Sequence, residues 1–555
     1  MKLAVFLLLS CASIFAQSRP AADVIVTNAN VYTVDKAQPR AEAVAIIGDR
    51  IVALGTSAEM DAWRGASTKI IDAQGKLLLP GFNDAHVHFV PGGVQLDSID
   101  LRPATGPEDF ARRLAERVRI TPKGEWITGG DWDEERWTPP QLPTRQTIDA
   151  VSPENPVFVA RYDGHEALAN SLALKLAGIT RKTKSPAGGE IVRDQQGEPT
   201  GVLKDAAMSL VYSKIPPLTH ERRLRAVKRA MNHAARLGVT SVQDMNPDYD
   251  DVRAYSELAE KGELTVRIYA APPLAGWQDQ AKIGLRHAWG SPYLRIGALK
   301  GYADGSLGSG TAYFFQPYTD DAKNRGLLAD EMQPLSQMRD RMMNADAAGL
   351  QLCIHAIGDQ AISIVLDLFG EVARTHGAAD RRFRIEHAQH IAEKDFDRFA
   401  SLNVIASMQP YHAIDDGRWA ERKIGPERIK TTYAFRTLLD RGVHLAFGTD
   451  WNVAPLDPVK SLYAAVTRAT LDGKNPDGWV PEQKIKMSEA VEAYTMGSAY
   501  AEYQEKEKGS ITQGKLADMV LLSDDIFKLD PSKIGDVQVD MTIVGGKVVW
   551  SRQGE

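Results

Sequence analysis

The central part of the chain alternates short apolar runs with amphipathic stretches. Patterns such as 221–236 and 332–348 have apolar residues at helical spacing, and apolar runs of strand length lie between them. Strands that alternate with helices predict a parallel sheet. A total of about eight favours an α/β protein with a (β/α)8 barrel, whose active site gathers at the carboxyl ends of the strands. Nine runs are predicted as strands, one more than such a barrel contains: 77–79, 126–130, 239–243, 264–270, 294–301, 351–355, 383–387, 404–408 and 444–450.

Both ends of the chain have a different pattern, with short strands separated by turn residues. Gly48-Asp49, for example, is a two-residue hairpin signal between two such strands. We predict one small β-sandwich domain that both termini build, from residues 22–78 and 509–555, with the barrel occupying residues 79–508. The strand-like runs on which this prediction rests are 24–26, 31–33, 43–47, 50–54, 517–522 and 537–550.

The stretch from about 92 to 236 separates the first predicted barrel strand from the regular alternation that begins near Leu237. It is longer than a normal connection between a strand and a helix. We interpret this stretch as an insertion into the barrel after its first strand, where it can form a roof over the pocket.

Composition excludes some classes of function. The chain has 555 residues, which is too long for a single hydrophobic core, and its 43% hydrophobic and 25% charged residues are typical of a soluble globular protein. The net charge is only −6 and no Lys/Arg-rich run is present. Both features argue against nucleic-acid binding, so we expect a small molecule as the binding partner.

The N-terminus has the pattern of a signal peptide at residues 1–16. Lys2 supplies a positive charge, 3–15 is mostly apolar, and Ala16 offers a small-residue cleavage point. This apolar run is too short for a permanent membrane span, so we expect an exported protein, periplasmic or secreted. A lipid anchor at Cys11 stays open as an alternative. After cleavage Cys353 is the only cysteine left, which excludes an internal disulfide.

His86 and His88 end the first predicted barrel strand. Side chains two residues apart on a strand point to the same side, so the two imidazoles can converge as half of a transition-metal site. His355, His387 and Asp450 follow other apolar strands in the same way. A single histidine at a strand end is more often a structural residue. Five such residues at corresponding ends of different strands favour a metal centre.

Lys300 lies near the end of the predicted strand 294–301. Burial lowers the pKa of a lysine and exposes its neutral amine, which can capture carbon dioxide as a carbamate. The two oxygens of a carbamate can bridge two metal ions. A lysine that pairs with Asp304, or that is exposed beyond the strand, is the alternative that the residues alone leave open.

Residues 80–88, with the sequence PGFNDAHVH, resemble the first-strand signature of the amidohydrolase superfamily. Other motifs resemble its amidohydrolase 3 branch, which includes enzymes similar to N-substituted formamide deformylase. The resemblance covers nearly the whole chain after the leader and implies a barrel fold and metal dependence. These motifs are DGHEALAN at 163–170, LKGYADGSLG at 299–308, IHAIGD at 354–359, IEHAQ at 385–389, MQPYH at 408–412, GTD at 448–450 and GKLAD at 514–518.

The resemblance also implies a ligand set for two divalent metal ions. Carried over residue by residue, one ion takes His86, His88 and Asp450, the second takes His355 and His387, and a carboxylated Lys300 bridges them. These ligands suit Zn²⁺, and Mn²⁺, Co²⁺ or Fe²⁺ fit the same residues. A site with one metal and an unmodified Lys300 is the alternative. The resemblance further implies a homodimer.

The implied activity is that of a metal-dependent amidohydrolase. A metal-activated water attacks an amide, an N-acyl amine or a formamide, and Asp450 takes the proton of the water and passes it to the leaving nitrogen. A lactonase, a cyclic amidase or a dipeptidase with the same site is the runner-up. A metal-binding solute receptor without turnover is the alternative from another class, and Asp450 argues against it because a receptor needs no proton acceptor.

Five residues are candidates for substrate binding. His165, Tyr302 and His412 are expected to contact the substrate or its oxyanion, Trp132 is expected to form part of an aromatic pocket, and Arg161 is expected to pair with a substrate carboxylate. For each of them a purely structural role is the competing interpretation.

Overall fold

The structure is a computed structural model that describes residues 20–552. The predicted signal peptide at 1–16 and the alternative anchor at Cys11 lie outside the described residues. Within 20–552, Cys353 is a buried free thiol. In the same range no helix combines the length and the apolar character needed to cross a membrane.

The strands, numbered β1 to β26 in chain order, are Val24–Thr27, Asn30–Tyr32, Arg40–Ala41, Ala43–Ile47, Arg50–Gly55, Lys69–Asp72, Leu77–Pro80, Phe82–Val87, Ile99–Asp100, Gly129–Trp132, Phe158–Arg161, Glu166–Ala169, Gly189–Arg193, Pro199–Asp205, Val239–Met245, Arg267–Ala271, Trp289–Gly290, Leu294–Ile296, Ala298–Tyr302, Gln351–Ala356, Arg384–His387, Ile405–Met408, Leu445–Phe447, Met519–Leu522, Val539–Val544 and Lys547–Ser551.

The helices, numbered α1 to α17, are Phe89–Gln95, Pro107–Ile120, Arg145–Asp149, Ser171–Ala177, Ser209–Tyr212, His220–Arg236, Tyr249–Glu260, Trp277–Lys282, Leu335–Ala347, Asp359–His376, Phe396–Ser401, Pro410–Asp416, Ala420–Arg428, Phe435–Asp440, Pro458–Thr467, Met487–Glu492 and Ser498–Ala501. The predicted helices at 221–236 and 332–348 are therefore confirmed as α6 and α9. Thr219 caps α6, because its side chain accepts a hydrogen bond from the backbone N–H of Arg222.

Two five-stranded sheets hold most of the strands that the central pattern predicts. Their orders are β17-β18-β16-β15-β8 and β19-β20-β21-β22-β23, and all neighbours are parallel except β17 and β18. Isolated parallel bridges join the sheets, from Val87 to Trp451 and from Pro273 to Lys300. Strands such as β20 and β23 are buried along their whole length, which explains their mostly apolar sequence.

Two of the predicted barrel strands, 77–79 and 126–130, were wrong. The run 77–79 forms β7, which pairs with β2 and β24, and the parallel sheet instead contains β8. The strand that forms near 126–130, β10, pairs with β9 and β11 in a separate six-stranded sheet of order β13-β14-β12-β11-β10-β9. The strands of this sheet all lie between residues 99 and 205, within the stretch that we predict to be an insertion, and an apolar cluster of the same stretch includes Phe110, Trp132 and Val159. A short apolar run predicts a strand, but it does not reveal the partner of that strand.

The two termini meet in a six-stranded sheet of order β26-β25-β24-β7-β2-β3. In it the C-terminal strand β24 pairs antiparallel with β7, so that Val520 lies opposite Leu79. A four-stranded sheet of order β5-β4-β1-β6 lies nearby, and an apolar cluster that includes Val44, Leu78 and Met519 draws on both sheets. This burial holds the N-terminal and C-terminal segments together.

Candidate functional site

The polar residues predicted at strand ends occupy those positions. His86 lies in β8, His88 follows that strand directly, His355 lies in β20, His387 ends β21, and Asp450 follows β23. Because the strands within each sheet are parallel, these carboxyl ends lie on one side of the sheets. All five side chains therefore approach one region of the molecule.

The first candidate metal group consists of His86, His88 and Asp450. Asp450 Oδ1 lies 3.5 Å from His86 Nε2 and 3.3 Å from His88 Nε2. The possible ligand atoms of the three residues all lie within 4.8 Å of one another. This geometry brings together the three residues that the resemblance assigns to one metal ion.

The second candidate group consists of His387, His412 and Asp450, whose possible ligand atoms also lie within 4.8 Å of one another. Asp450 Oδ2 is 3.9 Å from His387 Nδ1 and 3.9 Å from His412 Nε2. His412 lies in α12, directly after β22. The sequence predicts a substrate contact for His412; the residue lines the cavity and also lies among the possible metal ligands.

Hydrogen bonds orient the imidazoles of the first group. His86 Nδ1 lies 2.6 Å from Glu386 Oε2, and His88 Nδ1 lies 2.8 Å from the carbonyl oxygen of Met245. A proton on each Nδ1 satisfies these acceptors and leaves the Nε2 lone pair directed at Asp450. Arg384 in turn holds Glu386 through a salt bridge of 2.7 Å. Arg384 and Glu386 lie on either side of Ile385 in β21. The sequence prediction assigned no role to either residue.

The electrostatics of the cluster suit a metal ion. Asp450 Oδ1 and His412 Nε2 are buried and have no hydrogen-bond partner among residues 20–552. Burial alone would raise the pKa of Asp450, but the neighbouring imidazoles, His86 first, hold it well below its usual range. Burial lowers the pKa of His387 well below its usual range. An ionised carboxylate among neutral imidazoles is the protonation state that metal ligands require.

Lys300 lies inside the site and only 1% of it is exposed. Its Nζ is 3.2 Å from His86 Nε2, and within 20–552 it forms no ion pair with a carboxylate. Asp304 instead accepts hydrogen bonds from the backbone N–H groups of Tyr313, Ile357 and Gly358. The alternative that paired Lys300 with Asp304 or exposed it was therefore wrong. Burial lowers the pKa of the lysine, as a reactive neutral amine requires.

His355 lies beside both groups, although neither group includes it. Its ring centroid is 4.5 Å from that of His387, and its Nε2 is 3.2 Å from the carbonyl oxygen of Gly305. His355 and His387, which are predicted to bind the same metal ion, are thus close in space. The Nε2 atom of His355, however, lies next to the backbone carbonyl oxygen of Gly305.

A cavity of about 410 Å³ opens onto the cluster. Its wall contains Lys300, His355, His387, His412 and Asp450, and the insertion contributes residues such as His165. The volume is that of a site for a small molecule.

Comparison with known proteins decides the family. The sequence model of the amidohydrolase family matches residues 69–550. The chain belongs to the amidohydrolase family. It is 38% identical to the protein LONG AFTER FAR-RED 3 of Arabidopsis thaliana, over 95% of this chain and 92% of that protein. It is also 30% identical to the N-substituted formamide deformylase of Arthrobacter pascens, over 96% of this chain and 99% of that enzyme.

A solved structure supports the same assignment. The amidohydrolase chain resembles an uncharacterized metal-dependent hydrolase from Pyrococcus horikoshii with a TM-score of 0.74 and 28% identity, covering 92% of this chain and 99% of that one. The protein is thus a metal-dependent amidohydrolase, a hydrolase of C–N bonds in small molecules, with an α/β fold of the TIM-barrel type.

Four of the five predicted substrate contacts of the amidohydrolase line the cavity, namely Arg161, His165, Tyr302 and His412. His165, which follows β11, and Tyr302, at the end of β19, both lie near His355, with ring centroids 5.2 Å and 5.3 Å from its ring. Asp205 Oδ1 is 2.7 Å from His165 Nδ1 and orients that ring. Both residues are therefore placed to contact a substrate.

The geometry does not favour the predicted roles of Trp132 and Arg161. Trp132 is fully buried in the insertion, where its indole N–H donates to the carbonyl of Val159 at 2.9 Å, and it does not line the cavity. Arg161 does line the cavity, but its guanidinium binds Glu134 at 2.8 Å and Asp163 at 2.7 Å. It has no free edge for a substrate carboxylate. The aromatic residues in the cavity wall are Tyr162, Tyr212, Tyr302 and Trp419.

Proposed function

We propose that this amidohydrolase releases an amine from a small N-acyl amine, simple amide or formamide. One observation carries the proposal: the ionised Asp450 lies between two histidine pairs and keeps a buried oxygen without a hydrogen-bond partner among residues 20–552. Such a carboxylate can accept a proton at the reacting centre. The full-length similarity to an N-substituted formamide deformylase supports formamides as the first substrates to test.

We propose His86, His88 and Asp450 as ligands of one divalent ion, most simply Zn²⁺, with Mn²⁺, Co²⁺ and Fe²⁺ as alternatives. For a second ion, His387 is joined by His412 or by His355. A carboxylated Lys300 would bridge the two ions, and the burial of the lysine and its 3.2 Å approach to His86 support this role. When bound, such ions lower the pKa of water and polarise a carbonyl group.

The residues of the chain have separate tasks in the proposed reaction. Asp450 takes the proton from the attacking water and returns it to the leaving nitrogen, which departs as a neutral amine. Glu386 and the carbonyl of Met245 hold His86 and His88 in position. His165 and Tyr302 contact the carbonyl oxygen or the acyl group. The insertion limits the access of bulk water.

We further propose that the parallel strands close into one (β/α)8 barrel within residues 79–508, with the insertion at about 92–236. The bridges at Val87–Trp451 and Pro273–Lys300 support this closure. Residues 22–78 and 509–555 would form the β-sandwich domain, as their shared sheet suggests. Export to the periplasm or the medium and a homodimer remain predictions.

The test is to assay the purified, metal-replete enzyme with N-substituted formamides, N-acyl amines, lactones, cyclic amides and dipeptides. We expect release of a primary amine from one of the first two groups. We also expect that a chelator removes this activity and that added Zn²⁺ or Mn²⁺ restores it. Turnover of lactones, cyclic amides or dipeptides alone would instead assign the site to one of the alternative activities.

A further inference from the structure

Outside the candidate metal cluster, the cavity wall contains more acidic side chains than basic ones. The remaining residues in its wall with a carboxylate, guanidinium or imidazole side chain are Asp131, Arg161, Asp163, His165 and Asp416. Arg161 is already bound to Glu134 and Asp163, and His165 to Asp205. The cavity therefore presents carboxylates to a ligand without a free arginine or lysine beside them.

Of these carboxylates, Asp131 has the fewest partners. Its residue is 8% exposed, and its side chain accepts a hydrogen bond from the amide of Gln95. Within residues 20–552 it has no ion pair. The nearby Arg102 is directed elsewhere, to Asp415 at 2.6 Å and to the carbonyl of Val453 at 2.8 Å. Asp416, by contrast, accepts the hydroxyl of Tyr433 at 2.6 Å.

The backbone at Asp131 is one that glycine adopts more easily. Gly129 and Gly130 precede it with φ values of +95° and +116°, and Asp131 itself has a φ of +56°. A left-handed conformation costs a residue with a Cβ more than it costs glycine. An observed outlier of this kind at a cavity wall points to a function of the side chain.

Aromatic residues share the cavity with the Asp131 carboxylate. Tyr162 and Tyr212 line the same cavity. Burial, and after it the charge of Asp131, raises the pKa of Tyr212 to about 12. A cavity that contains both a carboxylate and tyrosine rings suits an ammonium group, because the carboxylate charge and the faces of aromatic rings both attract a cation.

We propose that Asp131 is a specificity-determining residue that binds a cationic group, such as a primary ammonium, on the substrate. This inference rests on the proposed function and names its substrate class: N-acyl amines with a second, positively charged nitrogen. The cation would supply the partner that the carboxylate lacks. Substrates that carry a carboxylate at the same place would be repelled.

Matched substrates test the proposal on the metal-replete enzyme. Mono-N-formyl alkyl diamines of increasing length are compared with N-formyl alkylamines in which a methyl group replaces the ammonium. We expect kcat/KM to favour the best cationic substrate at least about tenfold. In Asp131→Asn this preference should disappear through a higher KM, while the neutral substrate is hydrolysed as in the wild type.

Two further variants separate charge from folding. Asp131→Gly removes the side chain at a φ that glycine accepts without strain, and it should lose the same preference. Asp100→Asn removes an exposed carboxylate of the adjacent strand β9, outside the cavity wall, and it should keep the preference. Equal rates for cationic and neutral substrates in the wild type, or equal losses for both in Asp131→Asn, would overturn the proposal.

Binding of the amines separates the failure of this inference from the failure of the proposed function. If no N-formyl compound is hydrolysed, the proposed function is wrong. Calorimetric titration with the free diamines and the matched alkylamines then decides the inference by itself. Tighter binding of the diamine that depends on Asp131 supports the cation site, and equal affinities refute it.

Discussion

The two ends of the parallel strands both bury charged side chains, but they satisfy them differently. At the amino ends, Arg267 of β16 binds Asp518 at 2.6 Å and Lys508 binds Glu502 at 2.8 Å. At the carboxyl ends, Asp450 Oδ1 and His412 Nε2 have no hydrogen-bond partner among the described residues 20–552. Paired charges join segments of the chain, whereas unpaired ligand atoms are available for chemistry.

The largest effect is expected from Asp450→Asn, which removes the proposed proton acceptor. We expect turnover to fall by about 10³-fold, as is typical for a general base. The circular dichroism spectrum and the unfolding midpoint should stay close to those of the wild type. Asp477→Asn, at an exposed position, is the control for a lost negative charge. Near-normal turnover of the Asp450 variant would refute the mechanism.

Lys300→Ala should lose the proposed bridge and with it one metal ion per chain. Short carboxylic acids can occupy the vacated space and supply two oxygens, so acetate or propionate should restore part of the activity. Lys300→Arg fills that space and should show no rescue. The measurements are metal content and activity against acid concentration. An unchanged metal content in Lys300→Ala would show that the lysine is no bridge.

Glu386→Gln should have a smaller effect, because Glu386 acts through His86. Burial alone would raise the pKa of Glu386, but Arg384 and His86 lower it to about 2, so it is ionised at neutral pH. The glutamine amide holds the imidazole of His86 in position less firmly than the carboxylate does. We therefore expect the metal affinity to fall about 10- to 100-fold. Competition with a chelator of known affinity measures this change. An unaltered affinity would contradict the assigned role.

At the opposite end of the strands, Asp518→Asn should leave turnover and metal content unchanged while it lowers the free energy of unfolding by about 3 kcal/mol. It leaves the buried Arg267 without its carboxylate. Burial alone would raise the pKa of Asp518, but Arg267 lowers it below its usual range. The ion pair therefore stabilises the fold above about pH 4 and loses this effect as the pH falls.

Urea unfolding at neutral pH and in acid measures that difference. The difference in the free energy of unfolding between the wild type and Asp518→Asn should become smaller as the pH falls through the lowered pKa of Asp518. A stability difference that becomes larger in acid would contradict the role of the ion pair. A loss of metal from the Asp518 variant would show that the amino ends of the strands also affect the metal site.

Much of the fold and of the candidate site was predictable from local pattern. A buried parallel strand is often an apolar run, and a polar residue at its carboxyl end lies at the active end, which located His355, His387 and Asp450. His86 was inferred from the apolar run at 77–79, but that run forms β7 in the sheet of the termini, and His86 lies in the next strand, β8. The burial of Lys300 followed for the same reason. These features depend only on residues that are close in sequence.

Features that depend on distant partners were not predictable in this way. The strand at 126–130 pairs within the insertion, which its own sequence does not reveal. The guanidinium of Arg161 is bound by Glu134, a residue 27 positions away. His412 lies in a helix whose direction depends on the end of β22, and Glu386 reaches His86 across 300 residues.

The central claim is that the unpaired ligand atoms at the carboxyl ends hold the metal ions that hydrolysis requires. The most direct test is elemental analysis of protein purified without chelators, for the wild type and for His88→Ala. We predict about two metal ions per chain in the wild type, and a loss of at least one of them together with the activity in the variant. A wild type without metal, and without uptake of added Zn²⁺ or Mn²⁺, would contradict the account.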